Sequence, residues 1–266
     1  MIRNLNHRFN EKVSDFRKSK TTYRSMDHLE LRGVGLNYTS GDETNRLAKE
    51  KVVFEDLNFK FSLDDNFLLD GPMGSGRSSL MKVLAGLLVP ENGSYFINDE
   101  DILQMSFEEF LPYRLHIGYS FDYGGLLANR TLKDNLLIPL LYHRLAKPNE
   151  AEKRVTKLLE TFKIMGHENQ RPASVSGAMR KATVVARSFV LNPEMLVLDD
   201  PFVGLDDEQG KNIVELIFEH RKSFGLRHVF YSTRYERFVK MLGGKSIVLN
   251  GSKISHSGDP EAKRMA

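Results

Sequence analysis

The sequence predicts an α/β protein whose mainly parallel sheet is covered by helices on both faces. Two strongly apolar segments, at 194–200 and 227–233, read as buried strands, and they alternate with segments of helical periodicity. A glycine-rich turn, "GPMGSGRSS" at 71–79, joins a short apolar strand to an apolar helix. With 266 residues and 41% hydrophobic content, the chain can bury one large core or two small ones.

The composition excludes several classes of function. The chain has no cysteine, which excludes disulfides, thiolate zinc sites and a cysteine nucleophile, and its 8 histidines show no paired metal-ligand spacing. No run approaches the roughly 18 consecutive apolar residues that a membrane helix needs. We therefore expect a chain that does not itself span a bilayer.

The N-terminal segment 1–26 is basic. It holds seven Lys/Arg residues against two acids, a formal charge of +5, which leaves −2 for the rest of a chain of net charge +3. Its apolar residues recur at steps of three and four, as on one face of a helix. The segment is either an amphipathic helix for a membrane surface or partner groove, or a solubilising tail.

The next elements follow in order along the chain. Alternating patterns predict strands at 28–38 and 52–63, with a polar turn between them. The stretch 67–99 then reads as a short strand, the glycine-rich turn, a helix that ends at Pro90 and Gly93, and another strand.

The second half begins with helices and ends with a hairpin. Residues 103–170 are mostly helical in pattern, and 149–166 form one helix with Gly166 as its predicted C-cap. The apolar stripe of this helix is expected to be core; its members are Val155, Leu158, Leu159 and Phe162. At 245–258 the pattern predicts a hairpin that turns at Asn250-Gly251.

The turn at 71–79 has the spacing of a phosphate-binding loop. Gly71, Gly76 and Ser78 occupy the fixed positions of G-x-x-x-x-G-K-[ST], after a strand and before a helix. Backbone N–H groups and a helix N-terminus can hold phosphate there, and the Ser78 hydroxyl can bind Mg²⁺. Arg77 replaces the lysine, and its planar guanidinium is bulkier. A purely structural glycine turn is the alternative reading.

A pair of acids at the end of a buried strand favours the phosphate-binding reading. In "MLVLDD" (195–200), four apolar residues lead to Asp199 and Asp200. Such a pair is costly without a cation, so one carboxylate is expected to hold Mg²⁺ and the next to orient an attacking water. A surface acidic pair is the alternative, and the preceding apolar run argues against it.

Between these two motifs lies "SVSGAMRKATVVARSFVLNP" (174–193), and here the chain resembles ATP-binding cassette (ABC) ATPases. Their Leu-Ser-Gly-Gly-Gln signature caps the ATP bound to the other subunit, and 175–179 is similar to it. The resemblance covers about 28–260. It implies a P-loop NTPase fold of the ABC type, with a RecA-like core, an antiparallel β-subdomain and an α-helical subdomain.

Two stretches look closest to the ATPases of Mce/Mla-type phospholipid transporters. "DDPFVGLD" (199–206) is similar to their Asp-Glu-Pro-Phe-Val-Gly pattern, and "IGYSFDYGGLLANRTLKDNLLIPL" (117–140) resembles their segment around the Q-loop. The presence of Met179 instead of the signature glutamine also fits that branch.

The resemblance implies a role for individual residues. Tyr38 would stack on adenine, Asp206 would lie at the dimer interface, and Asp199 and Ser78 would bind Mg²⁺ with Asp122 as a further candidate ligand. An ordinary strand-end aromatic is the alternative for Tyr38. The phosphates of ATP would contact the loop residues Gly71, Pro72, Met73, Gly74, Ser75, Gly76, Arg77, Ser78 and Ser79, and the ATP of the other subunit would contact Ser176, Gly177 and Ala178.

Five positions depart from the family pattern around the γ-phosphate. Arg77 replaces lysine, Asp122 the Q-loop glutamine, Ala178 the second signature glycine, Asp200 the catalytic glutamate and Arg234 the switch histidine. Asp200 is one methylene shorter than glutamate, which withdraws its carboxylate by about 1.5 Å. Arg234 cannot shuttle a proton near neutral pH. Asp200 and Arg234 are the expected catalytic positions, with hydrolysis slow or absent.

These features predict an ATP- and Mg²⁺-dependent subunit in three parts. An ABC ATP-binding domain at 27–260, with a helical subdomain at about 123–178, would follow the extension 1–26 and precede a tail at 261–266. It would be cytoplasmic, peripheral on the inner membrane, and bound to a permease and a second ABC subunit, either an identical copy or a competent one. A catalytically inactive scaffold is the alternative, and no nucleic acid partner is expected.

Overall fold

The computed structural model describes residues 24–40, 49–250 and 253–256. Within them the chain forms two sheets and a set of helices. The strands are β1 (Leu29–Ser40), β2 (Lys49–Phe61), β3 (Asn66–Asp70), β4 (Asn92–Ile97), β5 (Glu100–Asp101), β6 (Ile117–Ser120), β7 (Met195–Leu198), β8 (His228–Tyr231), β9 (Lys245–Asn250) and β10 (Lys253–His256). The α-helices are α1 (Arg77–Leu84), α2 (Phe107–Arg114), α3 (Leu132–Tyr142), α4 (Pro148–Thr161), α5 (Gly177–Phe189), α6 (Asp207–Phe224) and α7 (Glu236–Leu242).

The larger sheet is mainly parallel, as predicted. Its strand order is β10-β9-β3-β8-β7-β6, and every neighbouring pair is parallel except β10 and β9. The smaller sheet, β2-β1-β4-β5, is antiparallel. Because parallel neighbours end at the same edge, the loops after β3, β6, β7 and β8 come together there.

Both faces of the parallel sheet are buried. Along β7, Leu196 and Leu198 pack into a core formed with α3, α4, α5 and α6, whereas Met195 and Val197 pack into a second core with α1 and the antiparallel sheet. Successive side chains of a strand point to opposite faces, so this division shows a sheet that is covered on each side. The predicted stripe of α4 is core, with Val155 and Phe162 fully buried.

Two predicted helix ends are wrong. The helix after the glycine-rich turn ends at Leu84 and not at Pro90, because the chain turns at Gly86, which has a φ of 64°. A Cβ at position 86 would lie 2.5 Å from the ring of Phe110. Gly166 does not cap α4. That helix ends at Thr161, and Lys163 takes the left-handed conformation with a φ of 56°.

The segment 103–170, which is mostly helical in sequence pattern, also contains a strand that was not predicted. It is β6, which pairs with β7 in parallel register from Ile117 to Ser120. The predicted C-terminal hairpin is present as β9 and β10, with Asn250 opposite Lys253 and Gly251 outside the described residues.

Other predictions fall on parts of the chain that are not described. The basic helix predicted within 1–26 lies outside the described residues up to position 23, and so does the tail at 261–266. The boundaries 27–260 and 123–178 stay predictions. Across the described part of the chain, no helix combines the length and the apolar character that crossing a bilayer requires.

Candidate functional site

The glycine-rich turn connects the end of β3 to the start of α1. Gly76 lies at the N-cap of α1 with a φ of 93°, and it has no side chain to bond the first-turn N–H groups of the helix. The N–H of Ser75 donates to the carbonyl oxygen of Pro72 over 3.1 Å, which closes the turn. The first-turn amides of α1 and its positive end therefore remain available for an anion.

Close contacts require glycine at two positions of this loop. A Cβ at Gly71, whose φ is 142°, would lie 2.3 Å from the carbonyl oxygen of Leu249. A Cβ at Gly76 would lie 2.5 Å from Cγ1 of Val53. Positive φ values and contacts this short leave no room for another residue, so the loop backbone is held against β9 and β2.

The loop borders a cavity of about 630 Å³ at the C-terminal edge of the parallel sheet. The cavity brings together residues that the sequence predicts for the site but that lie far apart along the chain. It is lined by Val53, Asp70, residues 71 and 73–79, Asp122, Asp199, Asp200 and Arg234. Pro72 belongs to the loop but does not line the cavity.

Asp199 and Asp200 follow β7 and are both nearly buried, with exposed fractions of 5% and 8%. The Ser232 hydroxyl donates to Oδ1 of Asp199 over 3.0 Å and accepts the N–H of Asp200 over 2.9 Å. The N–H of Asp199 also donates to the carbonyl oxygen of Ser120 over 3.0 Å. The ends of β6, β7 and β8 thus hold this acidic pair in place.

Asp200 is under electrostatic and conformational strain. Burial, and next the charge of Asp122, raise the pKa of its carboxyl group, while Arg77 and Arg234 oppose the rise. Its φ of 44° lies in the left-handed region, which is uncommon outside glycine and clusters at functional sites. Within the described residues, its Oδ1 is buried and has no hydrogen-bond partner.

Lys181 of α5 reaches the same edge of the sheet. Its Nζ donates to the carbonyl oxygens of Phe121, Asp122 and Asp199 over 3.0, 3.1 and 2.9 Å. It also lies 3.8 Å from Oδ1 of Asp122. Burial lowers the pKa of Lys181, and the surrounding carboxylates, first that of Asp122, oppose this shift. The helix is thereby tied to two of the loops that border the cavity.

The predicted signature residues lie at the start of α5 and do not line this cavity. Ser176 is the N-cap, and its hydroxyl accepts the N–H of Met179 over 3.2 Å. Ser176 and Gly177 are exposed, and Ala178 is half-buried. A role of these residues toward nucleotide bound to another chain stays a prediction.

Two further residues have predicted roles at the site or at a dimer interface. Asp206 caps α6, where its carboxylate accepts the N–H of Gln209 over 2.7 Å, so it has a structural role besides the predicted one at a dimer interface. Tyr38 lies in β1 opposite Lys51, and its side chain is outside the described part, so adenine stacking stays a prediction.

Sequence reasoning missed three residues of this site. Asp70 ends β3, lines the cavity and accepts the N–H of Gly71 over 2.7 Å. Ser232 and Lys181 hold the acidic residues in the way described above. The signal for Ser232 was its place after a buried strand, one residue before Thr233. For Lys181 it was a lysine within an apolar helix face.

The residues present fit Mg²⁺-bound triphosphate. The Ser75 hydroxyl is buried and, among described residues, has no hydrogen-bond partner, and the glycine positions leave a cradle that a Cβ would fill. No group of three or more His, Asp or Glu side chains in the described ranges could hold a metal alone. A cation would therefore bind Ser78 and Asp199 together with phosphate oxygens.

Comparison with known proteins agrees with this geometry. The family model for the ABC transporter matches residues 54–203, more than half of the chain. The methionine import ATP-binding protein MetN of Clostridioides difficile is 27% identical over 217 residues, which are 82% of this chain and 67% of that protein. The probable ribonucleotide transport ATP-binding protein mkl of Mycobacterium leprae is 34% identical over 63% of this chain and 48% of its own length.

Solved structures show the same fold. The ATP-binding cassette MJ0796, in a dimeric post-hydrolysis state with ADP and phosphate, superposes with a TM-score of 0.75 at 21% identity, over 86% of this chain and 97% of that one. An ATP-binding subunit of an ABC transporter gives 0.72 at 23% identity, over 89% and 92%. The chain spans about half the length of its mkl relatives and about two thirds of MetN.

Proposed function

Because this chain belongs to the ABC transporter family, we propose that it is an ATP-binding subunit that couples ATP binding, with slow or impaired hydrolysis, to a membrane permease. The cavity at the C-terminal edge of the parallel sheet carries this proposal. There the loop 71–79, the acids Asp199 and Asp200, and Arg234 converge around about 630 Å³ of space. The backbone amides of the loop, the cationic side chains and the carboxylates of the lining together suit a Mg²⁺-triphosphate.

Slow hydrolysis follows from the groups that would handle the attacking water. The side chain of Asp200 is one methylene shorter than that of glutamate, and its carboxylate is buried. Its raised pKa disfavours the ionised form. Displacement of a catalytic group by roughly 1 Å can cost on the order of 100-fold in rate. Arg234 lines the cavity and supplies hydrogen-bond donors only. The site therefore retains groups that hold phosphate and lacks well-placed groups that activate water.

The partners in this proposal are a permease and a second ABC subunit. The chain would act at the cytoplasmic face of the inner membrane, where ATP joins two cassettes and their closure moves the permease. A heterodimer with a competent copy would allow this chain to lend Ser176, Gly177 and Ala178 to the partner's ATP. A homodimer would depend on the impaired site alone.

For the cargo we propose a lipid, as in Mce/Mla-type transport. The support is the similarity of 199–206 and 117–140 to the ATPases of that branch. The names of the two relatives refer to other cargo, namely methionine and ribonucleotide. The test is the ATP turnover of the chain with its co-purified permease, with phospholipid added in one sample and those two solutes in others. Stimulation by a solute and not by lipid would contradict the lipid proposal.

Two measurements test the nucleotide part. Titration of fluorescently labelled ATP with Mg²⁺ should give saturable binding, and turnover with the permease should stay well below about 1 s⁻¹. Turnover at or above that rate would contradict impaired hydrolysis.

A second candidate is a catalytically inactive scaffold or regulatory protein that keeps the ABC fold. The observation that favours it is the number of carboxylates around the cavity, with Asp70 and Asp122 added to Asp199 and Asp200. Negative charge of this kind repels polyphosphate. Absence of saturable binding up to millimolar ATP would support the scaffold and contradict the first proposal.

A further inference from the structure

The ammonium group of Lys181 is fully engaged at the border of the cavity. Only 8% of the residue is exposed, and three carbonyl oxygens lie within 3.1 Å of its Nζ. A neutral amine has two N–H donors, whereas an ammonium group has three. The three acceptors therefore match a protonated lysine and hold it in one place.

This lysine connects three separate elements. It projects from α5, which begins at the predicted signature residues. Its ammonium group donates hydrogen bonds to carbonyl oxygens of the segment 121–122 after β6 and of Asp199 after β7. The bond to the carbonyl oxygen of Asp122 and the 3.8 Å distance to its Oδ1 mean that Lys181 holds both the backbone and the charge of that residue.

Asp122 needs such a partner if a polyphosphate enters the cavity. Its side chain is 56% exposed and lines the cavity together with three other aspartates. Arg77 and Arg234 are the cationic side chains of the lining in the described residues, so the carboxylates outnumber them. A nearby ammonium group reduces the repulsion that an added anion would meet.

We propose that Lys181 is a positioning residue that holds Asp122 and neutralises its charge, so that a nucleoside polyphosphate can bind beside it. The inference rests on the proposed function, because it assigns a specific partner to an unfavourable group of the same site. Lys181 does not line the cavity of the loop 71–79, so it acts through Asp122 rather than on the nucleotide.

The experiment is a double-mutant cycle read out by binding of fluorescently labelled ATP with Mg²⁺. The variants are K181Q, D122N and K181Q/D122N, with K157Q as the matched control, since Lys157 forms an exposed ion pair with Glu219. K181Q should weaken binding about tenfold, whereas in the D122N background the same change should cost about threefold or less. K157Q should bind like the wild type, and K181R should retain more affinity than K181Q.

Two results would overturn the inference. One is an equal loss of ATP affinity when K181Q is introduced into the wild type and into D122N, which would mean that the lysine only supports the fold. The other is the ATP affinity of D122N alone. This variant is expected to fold even if K181Q does not, because residue 122 is exposed. A gain of about tenfold or more in D122N would show that Lys181 leaves the charge of Asp122 unscreened. Failure of the wild type to bind up to millimolar ATP would instead overturn the proposed function.

Discussion

The hydroxyl of Ser232 donates to Oδ1 of Asp199, and the two atoms are 3.0 Å apart. The same hydroxyl accepts the N–H of Asp200 over 2.9 Å, so one side chain after β8 orients both acids after β7. Ser232 is 1% exposed, and hydrogen bonds at such a buried position are costly to lose.

The variant S232A should weaken Mg²⁺-dependent ATP binding, because Asp199 loses the donor that orients its carboxylate. The N–H of Asp200 also loses its acceptor, so we expect the free energy of unfolding to fall by about 1–3 kcal/mol. Chemical denaturation and ATP titration over a range of Mg²⁺ concentrations measure the two effects. S188A is the matched control, since the buried Ser188 hydroxyl donates within α5, to the carbonyl oxygen of Val185. Equal ATP affinity for S232A and S188A would contradict the role of Ser232.

The variant G76A should abolish ATP binding and destabilise the fold. An alanine Cβ at this position would lie 2.5 Å from Cγ1 of Val53, at a φ of 93° that alanine rarely adopts. G225A separates the two effects, because Gly225 has a φ of 76° but nothing within 4 Å of the added Cβ. We expect G225A to cost about 1 kcal/mol of unfolding free energy and to keep ATP binding. Thermal unfolding and ATP titration of both variants check this.

Restoration of the family residues should restore hydrolysis. The variant R77K/D122Q/A178G/D200E/R234H should raise ATP turnover by about 100-fold or more. It places a longer acidic side chain and a histidine near the γ-phosphate. The matched control carries D200N in place of D200E. Its turnover should stay low, since the group that orients water is absent. Steady-state phosphate release measures both, and similar rates in the two variants would argue against impaired catalysis at Asp200.

His228 should make the fold acid-sensitive. It is fully buried, its Nε2 bonds the carbonyl oxygen of Met26 over 2.9 Å, and burial lowers its pKa from 6.5 to about 4. The unfolded chain therefore protonates at a higher pH than the folded protein. The free energy of unfolding has its full value above about pH 6.5 and falls by roughly 3 kcal/mol as the pH drops toward 4. Denaturant unfolding of wild type and H228Q across this range measures the effect.

The loss with falling pH should be smaller in H228Q, because glutamine keeps a donor for Met26 and does not titrate. His167 serves as the comparison position, because its side chain is exposed. H167Q should follow the pH dependence of the wild type. A pH profile for H228Q that matches the wild type would contradict the assignment to His228.

The elements of the site were predictable where the signal is local. The loop 71–79 was recognised by the spacing of its glycines, and the acids at 199 and 200 by the apolar strand before them. The convergence of these two motifs at one sheet edge follows from parallel strand order, which buried strands alternating with helices predict. Helix ends were less predictable: α4 ends at Thr161, so Gly166 lies beyond its C-terminus and does not cap it.

The sequence by itself therefore determined the fold class, the family and the position of the phosphate loop, since each is expressed in the order and spacing of neighbouring residues. Only the tertiary structure decided that Ser232 orients Asp199 and that Lys181 holds Asp122. The first pair is 33 residues apart and the second 59, and neither spacing carries a helical or strand periodicity. Such contacts arise when sheet order and helix packing bring polar groups together in a buried space, where each must find a partner.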